Sequence, residues 1–102
     1  MSNVIDIIEK ELKDRYEAVH AAITAGPNAG LQELIDTGQA WQLEGAVGRA
    51  ALGAMTAGVC VAPPELQFDF YGNPVPAYYM LVDEPGSQGS VANAEAFEDL
   101  AR

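Results

Sequence analysis

Positive charge is what this sequence has least of. Five Lys and Arg stand against 15 Asp and Glu, a formal net charge of -10 in 102 residues. The basic residues are also unevenly placed: Lys10, Lys13 and Arg15 come early, and residues 50–101 hold seven carboxylates with neither Lys nor Arg. Direct binding to nucleic acid is thereby disfavoured, because affinity for a phosphate backbone comes from cations that release its counterions. A basic protein is the partner such a surface attracts. Cys60 is the sole cysteine, which excludes an internal disulfide, and in the apolar run GVCVA it reads as a small buried hydrophobe. One Cys and one His cannot fill a zinc site without unsupported carboxylates, and no calcium loop is spelled out. No metal or cofactor is expected. No apolar run approaches the roughly 18 residues of a membrane span. The opening MSNVIDIIEKELKD lacks the basic start and long apolar stretch of a secretory signal, so the cytoplasm is the expected compartment.

Nearly half of the residues are hydrophobic (49%), enough for one folded domain over residues 1–102. Ile5, Ile8, Leu12, Tyr16, Val19 and Ile23 recur in steps of three and four, one stripe of a helix over residues 1–26. Ser2 or Asn3 suits its cap, Glu9 with Lys13 and Glu11 with Arg15 make i,i+4 pairs, and Gly26-Pro27 ends it. LQELIDTG predicts a short helix closed by Gly38. A third helix is expected from about residue 39 to 57, weakened by Gly45, Gly48 and Gly53 and carrying a smooth face of Ala46, Ala50, Ala54 and Ala57. VCVA then reads as a short strand. LQFDF, with Leu66, Phe68 and Phe70 on one face, and PVPAYYMLV read as a hairpin turning at residues 71–74. Ser90 caps a last helix over residues 91–102. The expected fold is a small α+β domain, helices packed on a Gly/Ala-rich central helix with a short antiparallel hairpin.

No catalytic constellation is visible. His20 lacks a nucleophile and an orienting acid in sequence, and GSQGS lacks the Lys-Ser/Thr ending of a phosphate loop. A helix-turn-helix reading of residues 31–52 fails on charge. The residues that invite a contact role are Trp41, Arg49, Asp69, Tyr71, Asn73 and Tyr79. Arg49 needs a carboxylate if buried, with Asp69 the favoured structural partner and a partner protein's carboxylate the alternative. Tyr71 at the turn and one of the adjacent Tyr78 and Tyr79 are expected outside, beside rigid prolines, as in interfaces.

The order of motifs carries a resemblance. LIDTGQAWQLEGAVGRAALGAMTAGVCV, followed by DFYGNPVPAYYMLVDEPGSQGSV, resembles a family of small accessory proteins of mycobacteriophages and related actinobacteriophages, a family without a settled biochemical role. The shared pattern runs over residues 31–91: Trp41, EGxxGR at residues 44–49, D-x-YGN at residues 69–73, Val75-Pro76 and the late GSxGS. Where that family often has Ser-Arg after Val-Pro, this chain has Ala77 and Tyr78, which removes a basic contact. The resemblance implies a non-enzymatic phage product in the host cytoplasm that binds a host or phage protein. A virion assembly component and a DNA-mimicking inhibitor are the alternatives, and a homodimer through the first or third helix is a further expectation.

Overall fold

A computed structural model describes residues 3–101, with side chains from Val4 onward; the cap expected of Ser2 or Asn3 lies outside the described side chains. Four helices and one two-stranded antiparallel sheet form an α+β fold: α1 (Asn3–Thr24), α2 (Ala29–Thr37), α3 (Gly45–Ala57), β1 (Gln67–Phe68), β2 (Pro74–Val75) and α4 (Val91–Leu100). The periodic stripe of α1 divides in two. Tyr16, Val19 and Ile23 are buried against the rest of the core, each burial contributing about 2 kcal/mol. Ile5 and Ile8, on the same stripe, are uncovered.

Glycine closes α2 and α3 as the sequence implied. Gly38 and Gly58 take left-handed conformations (φ 82° and 85°) and return their N–H groups to Ile35 and Ala54 carbonyls. At Gly58 a Cβ would also lie 2.7 Å from the Asn93 carbonyl oxygen, so the C-terminus of α3 and α4 touch through backbone.

The third helix is shorter than its composition implies. A 3-10 turn, Gln39–Trp41, is followed by a break, and α3 starts only at Gly45, after Glu44 in extended geometry. Glycines weaken this helix start by about 1 kcal/mol each, so tertiary contacts decide its shape. Ala40 and Trp41 are buried, and the Trp41 indole Nε1–H donates to Gln67 Oε1 at 2.7 Å. α3 packs inward through Ala51, Ala54 and Met55; Ala46, Ala50 and Ala57 of the expected smooth face are exposed.

The strands are also shorter than expected. Residues 59–62 form no strand, although Cys60 and Val61 are fully buried. Their backbone is satisfied by a side chain: the buried Gln32 amide accepts from Val61 N–H (2.8 Å) and donates to the Val61 carbonyl (3.0 Å). Ala62 N–H donates to the Gly89 carbonyl. One amide thus does the work of a ladder rung. In the hairpin, Gln67 pairs with Val75 and Phe68 with Pro74. Beyond them Pro76 offers no N–H, and Tyr78–Met80 winds into a 3-10 turn rather than continuing the strand.

A second buried amide anchors the other end. Asn93 Nδ2 donates to the Met55 and Thr56 carbonyls at the end of α3, and its Oδ1 accepts from Gly86 N–H. Ser90 caps α4 as expected, its hydroxyl oxygen accepting from Asn93 N–H.

Candidate protein-contact groove

The hairpin tip is built by one carboxylate. Asp69 Oδ1 accepts from the N–H groups of Tyr71 (2.9 Å) and Asn73 (2.8 Å), and Gly72 takes φ 82° between them. D-x-YGN is therefore a turn in which the Asp side chain does the folding. Its product is a rigid tip that holds Phe70 at 74% and Tyr71 at 85% exposure, ring edge to ring face. The alternation expected for Leu66, Phe68 and Phe70 holds, but their shared face points to solvent. Gln67, half-buried, turns inward, where its amide bridges Trp41 Nε1 and the Asp36 carbonyl.

Between this tip and α3 runs a groove of about 390 Å³, lined by Trp41, Leu43, Arg49, Leu52, Phe70 and Tyr71 among others. Asp69 contributes to the same wall. The expected Arg49–Asp69 bridge is not made: among the described residues Arg49 forms no salt bridge, and the working oxygen of Asp69 is held by the turn. Arg49 folds instead over Gly45, where a Cβ would come within 3.1 Å of its Nη1. An exposed guanidinium without an internal carboxylate stands beside exposed aromatic rings.

Of the residues singled out in sequence, the structure brings Trp41, Arg49, Asp69 and Tyr71 to this groove. Asn73 serves the turn through its backbone. Tyr79 is exposed on the 3-10 turn and does not line the groove. Leu43, Leu52 and Phe70 were missed. Phe70 carried a signal in its place next to the turn, whereas Leu43 and Leu52 are brought in by the break before α3.

The cation that is internally paired is Arg15. The i,i+4 pairs expected on α1 are replaced by Lys10–Asp14 and Lys13–Glu17. Arg15 reaches Glu95 through Nη2 (2.5 Å) and Nε, and Asp83 through Nη1 (2.8 Å). Bidentate pairing with long-range acids prevails over a local partner. Hydrogen bonding to Glu95, more than to Asp83, holds the guanidinium protonated more firmly than usual.

His20 also has an acid the sequence did not place. Its Nε2 lies 2.6 Å from Asp36 Oδ2, with Gln32 Nε2 donating to the other carboxylate oxygen. The open cavity beside them is lined by Tyr16, Thr24 and Tyr78. Burial pushes both phenols above their ordinary range, so they remain protonated, and the Thr24 hydroxyl donates to the Ala21 carbonyl. Cys60 lies outside this lining; burial, aided by Asp36, pushes its thiol up to about 11. The pair ties α1 to α2. Among the described residues no three His, Cys, Asp or Glu side chains gather to hold a metal, and no helix is long and apolar enough to cross a membrane.

Comparison of the chain with protein-family models, with curated proteins and with solved structures returned no match.

Proposed function

We propose that this protein is a non-enzymatic accessory protein of an actinobacteriophage that binds a host or phage protein in the host cytoplasm, with the hairpin–α3 groove as its contact site. The phage setting rests on the motif order along residues 31–91. The contact site rests on one observation: a hydrogen-bonded tip holds Phe70 and Tyr71 in solvent beside an Arg49 that has no carboxylate partner among the described residues. Exposed aromatics on a preorganised turn lose little entropy on docking. An arginine among them is the residue type that recognises a carboxylate with a fixed geometry. The partner segment supplies an apolar side chain to the groove and an Asp, Glu or C-terminal carboxylate to Arg49.

DNA mimicry is less well supported, because it needs free carboxylates in rows. Asp14, Glu17, Asp36, Asp69, Asp83 and Glu95 instead hold internal bonds.

The test is affinity capture from an actinobacterial lysate with the wild type, with Phe70→Ser/Tyr71→Ser and with Arg49→Met. The expected partner survives high salt, since most of the contact is apolar. It is lost with the double variant and weakened by Arg49→Met. A partner that all three proteins retain equally would place the contact elsewhere.

A further inference from the structure

The uncovered end of α1 is a second surface, separate from the groove. Its apolar stripe runs unbroken from Ile23, Val19 and Tyr16, all buried, through half-buried Leu12 to Ile8 and Ile5. Ile5 and Ile8 are 62% and 59% exposed, and Val4 and Ile7 beside them are as open. The overhang from Val4 to Leu12 spans about 13 Å. A helix end of this length gains little from its own hydrogen bonds and is held by packing of its apolar face. Among the described residues no other element covers Val4, Ile5, Ile7 or Ile8.

Charge identifies the occupant. At roughly 100° per residue, Glu9 and Glu11 fall on either side of the Ile5–Ile8–Leu12 ridge, and among the described residues neither has an ion-pair partner. Of the two nearby lysines, Lys10 lies on the back of the helix, held by Asp14 at 2.8 Å, and Lys13, about 40° beyond Glu9, is turned to Glu17 at 3.8 Å. The ridge is therefore apolar with acidic edges. A second copy laid antiparallel along it would set these glutamates against their own counterparts, and like charges across an interface oppose pairing. A helix with an apolar stripe and flanking Lys or Arg meets both features at once.

We infer that the N-terminal half of α1 is a docking ridge for a basic amphipathic helix of a partner protein. This shares with the groove reading the premise that the protein works by contact. Its test is built to fail separately.

The probe is a synthetic two-heptad helical peptide with a leucine stripe, lysine flanks and an amidated C-terminus, titrated calorimetrically into the full chain. A glutamate-flanked version serves as its counterpart. The lysine peptide is expected to bind at least about tenfold more tightly than the glutamate peptide. Ile5→Ser/Ile8→Ser, exposed positions whose change leaves the fold intact, weakens it on the order of a hundredfold. Glu9→Lys/Glu11→Lys reverses the preference between the two peptides. Absence of binding, equal binding of both peptides, or a dimer in sedimentation that Ile5→Ser abolishes overturns the inference. The lysine peptide offers Arg49 no carboxylate, and both titrations are run on Arg49→Met as well, so that any seating of the glutamate peptide in the groove is removed; failure here leaves the groove reading standing, and loss of the groove partner leaves this one standing.

Discussion

Where α1 meets α4, Arg15 is held by Glu95 and Asp83, and Asp83 also accepts from Ala92 N–H at the start of α4. Where the hairpin meets α3, Arg49 lies in a groove with Tyr71 and Phe70 and forms no such bond among the described residues. The same contrast extends to the neighbours. In the core buried Gln32 and Asn93 likewise find partners for their amide groups within the chain, and no buried side-chain polar atom among the described residues is left without one. On the second side large apolar groups face water. Polar groups that fold the chain are used up internally, whereas the groove keeps an unspent cation and unspent aromatic surface.

Substitutions sharpen this contrast in descending order of effect. Gln32→Leu should be the most damaging: it leaves the buried N–H and carbonyl of Val61 without partners, at about 4 kcal/mol, read from urea unfolding. A change under 1 kcal/mol would show that the amide is incidental. Cys60 comes next, through pH. Its thiol is pushed up to about 11 in the fold from an ordinary value of 9.0, near which it ionises in the unfolded chain. Above that pH the unfolded state binds fewer protons, so stability is flat below it and falls as pH rises toward the folded value. The loss is on the order of 1 kcal/mol by pH 10. Cys60→Ala should reduce that slope below pH 10, before the buried Tyr16 and Tyr78 phenols add their own; an unchanged slope there would mean that the thiol already ionises freely in the fold. Arg15→Met follows, at about 1 kcal/mol once solvent screening of a one-third-exposed side chain is allowed for. Arg49→Met is the smallest in stability: its melting temperature should match the wild type, with the whole effect in partner binding. A marked loss of stability would make Arg49 a structural residue like Arg15.

Features that depend on local spacing were legible in the sequence. The α1 stripe, the glycine stops at Gly38 and Gly58, the Ser90 cap and the exposed Tyr71 all follow from neighbours within a turn. Features set by distant side chains were not. Gln32 stands beside Glu33 on a short helix, where either side chain could face solvent, and gives no sign that its amide will pair with Val61, so residues 59–62 read as a strand. Asp69 looked like an ion-pair partner because its use by two N–H groups of its own turn is invisible until the turn closes. Arg15 has Glu11 at helical spacing, yet Glu95 and Asp83 offer better geometry from far along the chain. The groove was legible in part: Trp41, Arg49, Asp69 and Tyr71 were picked out one by one, but their meeting depends on the break before α3.

Replacing Tyr71 with a photo-crosslinking amino acid, and separately replacing exposed Glu33 on α2, tests the contact role of the groove most directly. In actinobacterial cells position 71 should yield one discrete adduct with another protein, diminished by Arg49→Met, and position 33 should yield none. No adduct at 71, or the same adducts from both positions, would contradict a partner seated on the hairpin–α3 groove.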